Sequence, residues 1–137
     1  MKYQLITPEK VISSGEANSI SLPTRSKGYI TILEHHMPLI SSLGVGELVV
    51  THNGEEKLFV ADGGFVEITA SGDVKILTDY ASAAEHLNEA EIEAAQARAA
   101  NLIHEHKTHD DITNASLVAS LERELAKLKV VRKHRAR

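Results

Sequence analysis

Eight histidines and no cysteine set the chemical repertoire of this 137-residue chain. Imidazole ligates metals and carries protons near neutral pH, so histidine clusters are where chemistry would begin. Two clusters stand out: the adjacent His35 and His36 within ILEHHMPLI (32–40), and the group His104, His106 and His109. A zincin needs His-Glu-x-x-His on one helix, and after His104 and Glu105 the second histidine position holds Thr108. With no thiolate and no aligned carboxylate, no metal site is expected. Ser41 and Ser42 follow the histidine pair, but no Gly-x-Ser-x-Gly elbow occurs and no partner for general-base work lies nearby. The glycine pairs Gly44/Gly46 and Gly63/Gly64 sit between strand patterns, whereas a phosphate-cradling loop must open a helix; turns are expected there.

The overall charge of −4 gives no general attraction to phosphate backbones or anionic lipid. One stretch departs from that balance. Between Arg123 and Arg137 the chain carries Arg123, Lys127, Lys129, Arg132, Lys133, Arg135 and Arg137, opposed only by Glu124. Basic residues at a helix end favour the helix dipole, and they also suit an acidic protein surface. The stretch has no aromatic residue for base stacking, so no nucleic-acid partner is expected. No run approaches the ~20 apolar residues of a membrane span, and MKYQLITPEK lacks a signal-peptide apolar stretch.

All eight glycines and all three prolines precede residue 73. Tight turns therefore belong to the first half, and long helices only to the second. In the first half apolar residues recur every second position: Ile20 and Leu22, Ile30 and Ile32, Leu48 and Val50, Val66 and Ile68, Val74 and Ile76. This period marks half-buried strands. Asn53-Gly54 is the favoured pair of a two-residue hairpin, and Ser71–Asp73 a weaker turn. Short strands with frequent turns imply an antiparallel sandwich or barrel.

From Ala81 the pattern becomes helical. Ile92, Ala95, Ala99 and Leu102 share one face of a first helix, and Val118, Leu121, Leu125 and Leu128 one face of a second. The polar link 106–111, with Thr108 or Asp110 as N-cap, folds them back as a hairpin. Such a hairpin cannot bury both stripes alone, so it must pack on the sandwich or on a partner.

Read in order, ITPEKVISSGEANSISLP (6–23), GYITILEHHMPLISSLGVGEL (28–48), VADGGFVEI (60–68), DVKILTDYA (73–81) and the Ala/Glu-rich helical pair resemble the epsilon subunit of bacterial and chloroplast F-type ATP synthases, the counterpart of the mitochondrial delta subunit. The resemblance implies a β-sandwich N-terminal domain (1–84) followed by a C-terminal α-helical hairpin (85–137). It implies a non-catalytic central-stalk subunit of the proton-translocating enzyme, on the cytoplasmic face of the bacterial inner membrane. The sandwich would bind the gamma subunit and the c-subunit ring through Glu34, His35, His36, Met37, Pro38 and Leu39. The hairpin would extend to the alpha/beta catalytic head, where Arg123, Lys127, Lys129, Arg132 and Lys133 meet acidic segments and oppose ATP hydrolysis.

Where the family has Ile-Leu-Pro-Gly-His-Ala-Pro-Leu, His36 falls on its histidine and His35 on its glycine. Some members bind ATP through Ile/Leu-Asp-x-x-Arg-Ala; the matching stretch here runs from Leu87 through Asn88 to Glu91 and Ile92, with Glu91 in place of the cation. Reversing that charge opposes phosphate binding, so no cofactor is expected and ATP binding should be weak or absent. Asn88 and Glu91 instead have capping-box spacing. A small His-dependent enzyme and a nucleic-acid module with a basic tail are the competing functions.

Overall fold

The computed structural model describes residues 1–105 and 111–136, apart from the side chains at 105 and 111–114. Ten strands come first: β1 (Lys2–Ile6), β2 (Val11–Glu16), β3 (Ser19–Thr24), β4 (Gly28–Leu33), β5 (Leu39–Ser42), β6 (Val45–His52), β7 (Glu55–Asp62), β8 (Phe65–Ile68), β9 (Val74–Leu77) and β10 (Tyr80–Ala83). They form two five-stranded sheets, β2-β1-β9-β8-β5 and β10-β7-β6-β3-β4. The strand pairs are antiparallel except β1 with β9, which run parallel. No hairpin joins those two strands, so their relative direction is free of the constraint that a two-residue turn imposes.

The period-two residues do what their spacing dictates. Leu5, Val66, Ile68, Val74 and Ile76 of the first sheet face Ile20, Leu22, Ile32, Leu48 and Val50 of the second in one buried cluster. Ile30, on edge strand β4, is only partly buried. Fully burying each such side chain stabilises by ~1.5 to 3 kcal/mol, which makes the sandwich the stable unit of the chain. Asn53 and Gly54, with φ of 51° and 81°, turn β6 into β7 as a tight hairpin. Gly64 (φ 100°) serves close approach, because a Cβ there would collide with the Leu77 carbonyl. Gly46 is not in a turn: it lies within β6, where the Tyr29 hydroxyl packs over it and accepts a hydrogen bond from the Glu47 amide (3.0 Å).

The helical reading from Ala81 begins too early. Tyr80–Ala83 is strand β10, paired with β7, and a one-turn 3₁₀ helix (Ala84–His86) follows. Edge pairing on β7 outweighs the strong helix preference of the alanines. The two helices are α1 (Glu89–Glu105) and α2 (Asp111–Arg135). The start of α1 lies beside the end of α2, as the Arg132–Glu89 pair requires. Helix α2 covers the outer face of the second sheet, lying on β6 and β7, and α1 packs on α2. Strand β7 is therefore buried on both sides: Phe59 and Ala61 face the sandwich core, while Leu58 and Val60 lie in a second cluster with Ala84 and Val130.

The expected stripe of α2 is only half used. Val118 and Leu125 are 43 % and 46 % exposed, Leu121 is intermediate, and of the four only Leu128 is buried. On α1, Ile92 and Ala99 are buried, Ala95 is intermediate and Leu102 is exposed. Helix α2 has two neighbours and so needs two short stripes: Val130 meets the sheet, and Leu128 and Val131 meet Ile92 of α1.

Candidate interaction surfaces

The loop from β4 to β5 carries the histidine pair at one end of the sandwich. Asn18 Nδ2 donates to the Glu34 carboxylate (3.2 Å), and the His36 amide closes the turn on the Leu33 carbonyl (3.3 Å). His36 Nδ1 bonds the Met37 carbonyl oxygen at 2.7 Å. His35 is exposed and sits at φ 64°, in the left-handed region that glycine occupies without penalty. Met37 is 73 % exposed, Pro38 is exposed, and Leu39 turns partly inward to start β5. An open cleft of about 500 Å³ lies between this loop and the β8–β9 turn, lined by Glu34, His35, His36, Ser71 and Asp73. Among the described residues no three His, Cys, Asp or Glu side chains gather as a metal site. His106 and His109 lie outside the described residues, as do Thr108 and Asp110.

Toward the end of the strands away from this loop, the outer face of the first sheet carries a feature that period-two reasoning missed. Register places Val11 opposite Ile6, Ile6 opposite Leu77, and Leu77 opposite Phe65. Four strands thus contribute one continuous apolar row. Val11, Phe65 and Leu77 are exposed, Ile6 is partly so, and on edge strand β5 the same face adds Ile40, 71 % exposed. The next row, Glu67–Lys75–Gln4–Ser14, is polar. The signal in the sequence was the adjacent apolar pairs Phe65-Val66 and Ile76-Leu77, since a strand with one wet face should not place apolar residues on both. Exposed apolar rows of this kind, rimmed by polar residues, mark interaction sites.

The basic side chains of α2 are engaged with this chain's own carboxylates. Arg123 donates to Asp62 of β7 at 2.5 Å, and its guanidinium lies 5.1 Å from the Tyr80 ring centre. Lys127 donates to Glu124 at 3.1 Å and stands 4.8 Å from the centre of the same ring. Lys133 reaches Glu47 of β6 at 2.5 Å. Arg132 donates to Glu89 (3.0 Å) and Glu93 (3.2 Å), and Arg135 pairs with Glu89 as well. The Arg132 hydrogen bond, joined by the charge of Arg135, holds the Glu89 carboxyl below its ordinary range against the opposite pull of desolvation. The same bond raises the Arg132 guanidinium further. Lys129 is exposed and forms no ion pair among the described residues.

The family model for the ATP synthase delta/epsilon chain β-sandwich domain matches residues 1–84. The chain belongs to the ATP synthase delta/epsilon family. Full-length relatives agree: the ATP synthase epsilon chain of Chloroflexus aggregans is 35 % identical over 96 % of this chain and 92 % of its own. That of Alkalilimnicola ehrlichii is 34 % identical over 100 % and 96 %. In fold the chain is similar to a subunit of the Euglena gracilis mitochondrial ATP synthase, with a TM-score of 0.77 at 20 % identity, covering 98 % of this chain and 80 % of that one.

As an epsilon-type chain it departs from the family sequence at places the geometry explains. Where the family has glycine, His35 takes the left-handed conformation that glycine would take. At the start of α1, Asn88 Oδ1 accepts the Glu91 amide (3.2 Å), so Asn88 is the helix N-cap. Leu87 packs into both clusters that α2 joins. Glu91 is exposed.

Proposed function

We propose that this chain is the epsilon subunit of an F-type ATP synthase: a non-catalytic rotor subunit that couples c-ring rotation to the catalytic head and restrains ATP hydrolysis through its C-terminal helices. It works as part of a membrane-bound complex, on the cytoplasmic face of the bacterial inner membrane, and has no bond-making site of its own. No described helix is long and apolar enough to cross a membrane. The observation that carries the reading is the unequal treatment of the two sheet faces. Helix α2 covers β6 and β7 of the second sheet, while the first leaves the row Val11–Ile6–Leu77–Phe65 open.

Transmitting torque needs a rigid body with a fixed grip, and the sandwich core supplies the rigidity. We assign the open row and Met37 to the gamma subunit and the loop tip carrying His35 and His36 to the c ring. Division of labour follows the fold: residues 1–84 dock, and residues 85–137 regulate. The exposed half-stripe of Val118 and Leu125 supports a second arrangement in which α2 leaves the sheet and finds another apolar partner. In that arrangement Arg123, Lys127, Lys129, Arg132 and Lys133 face acidic segments of the head. ATP binding is weak or absent in this reading, because the exposed Glu91 stands where the ATP-binding members carry a cation.

Truncation after Glu122 tests the regulatory half of the reading. The assembled enzyme should bind the shortened chain and hydrolyse ATP faster; unchanged hydrolysis would refute regulation by these helices. Stoichiometric co-purification with gamma tests the docking half.

A further inference from the structure

The surface beneath α2 has a definite composition. Outward residues of β6 and β7 form a grid in which Asp62 lies beside Val45 and Tyr80, and Val60 beside Glu47 and Ser82. Its centre, Leu58 and Val60, receives Val130. Its carboxylates receive cations: Asp62, 19 % exposed, takes Arg123, and Glu47, 10 % exposed, takes Lys133. Tyr80 sits under Arg123 and Lys127 together. An apolar strip flanked by carboxylates and an aromatic face is the chemistry that would recognise a basic amphipathic helix.

We propose that Glu47, Asp62 and Tyr80 form an internal acidic dock that imitates an anionic protein surface and competes with it for the cations of α2. The inference rests on the regulatory reading above and gives it a mechanism. Arg123 and Lys133 serve two arrangements, one at a time. While α2 is docked, the charges of Arg123 and Lys133 are neutralised by Asp62 and Glu47 and are unavailable to an acidic partner. When it leaves, Glu47 and Asp62 return to water and the cations are free. The two arrangements exchange like for like in charge, so a modest difference in affinity decides between them.

The dock is also imperfect. Glu124 Oε2 is buried and finds no hydrogen-bond partner among the described residues, while Oε1 of the same carboxylate takes Lys127. An unsatisfied buried oxygen opposes docking and keeps it reversible.

The full chain has no cysteine, so spin labels introduced at Thr31→Cys and Ala119→Cys report the distance between sandwich and α2. The double variant Glu47→Gln/Asp62→Asn should raise the ratio of undocked to docked chains about 10-fold or more, the loss of two charge-assisted contacts. In the assembled enzyme it should deepen inhibition of ATP hydrolysis, because the cations of α2 are intact and released. Arg123→Gln/Lys133→Gln should undock α2 to a similar extent yet weaken inhibition. An unchanged distance distribution in Glu47→Gln/Asp62→Asn would overturn the dock. Undocking in both variants with hydrolysis unchanged in both would instead overturn the regulatory reading and leave the dock standing. Equal effects of the two variants on inhibition would overturn the competition.

Discussion

Val130→Ala isolates the attachment of the helices from the stability of the sandwich. Val130 is fully buried between α2 and β7, against Leu58, Val60 and Ala84, and it belongs to a cluster separate from the sandwich core. The substitution deletes two buried methyl-sized groups at about 0.8 kcal/mol each and leaves a small cavity, for a total of about 2 kcal/mol. That energy is lost from docking, because no residue of the inter-sheet core touches the vacated space in the cluster. About 2 kcal/mol is roughly a 30-fold change in equilibrium. Native-state hydrogen exchange is the assay: amides of α1 and α2 should exchange roughly 30-fold faster at pH 7, while the slowest amides of β3, β6 and β8 keep their rates. Val118→Ala, at an exposed position on the same helix, should change exchange by less than about 0.5 kcal/mol. Equal acceleration in the sandwich and the helices would refute the separation of the two cores; no acceleration anywhere would refute the seat of Val130.

Three further outcomes follow from the same geometry. Phe65→Asp and Leu77→Asp, both on the open row, should leave the melting temperature of the isolated chain within a few degrees and weaken gamma binding at least about 30-fold in a calorimetric titration, since hot-spot losses at buried apolar anchors reach about 2 kcal/mol or more. The Glu89 carboxyl is held below its ordinary range, so its stabilising contribution is present above the pKa of the unfolded chain, near 4.3, and is lost as pH falls through the lower folded value. Helix docking followed by the spin-label distance should therefore weaken on acidification below about pH 4, and Glu89→Gln should remove that part of the dependence. At the loop, His35→Gly should hold or raise sandwich stability by up to about 1 kcal/mol, whereas His35→Val should lower it by about 1 to 2 kcal/mol in denaturant unfolding, because a β-branched residue is least tolerant of a positive φ.

Strand residues with one wet face were legible because their burial is set locally. Ile20, Leu22, Leu48, Val50, Val66 and Ile76 are buried at the positions their spacing indicates. Strand β7 was harder: Leu58 to Ala61 are all buried, so the run has no alternation to read. Strand β10 read as helix because alanine is the strongest helix former and its partner β7 lies some twenty residues upstream. The α2 stripe failed for a related reason. A periodic pattern states which residues can share a face, but which face is covered depends on the neighbours, and here β7 and α1 take Val130, Leu128 and Val131 in place of Val118 and Leu125.

The candidate surfaces divide in the same way. The loop Glu34–Leu39 and the basic run of α2 are contiguous in sequence, so their residues could be named in advance. The open row joins Val11, Ile6, Leu77 and Phe65 from four strands, and only sheet register brings them side by side. The sequence by itself determined the two-part build: turn residues confined to the first half, alternation there, and a long uninterrupted helical pattern after it. Tertiary structure alone decided the partners of the charges. Arg123 finds Asp62 and Lys133 finds Glu47 across 61 and 86 residues of chain, because a helix laid on a sheet sets side chains together by packing, and no local preference encodes that distance.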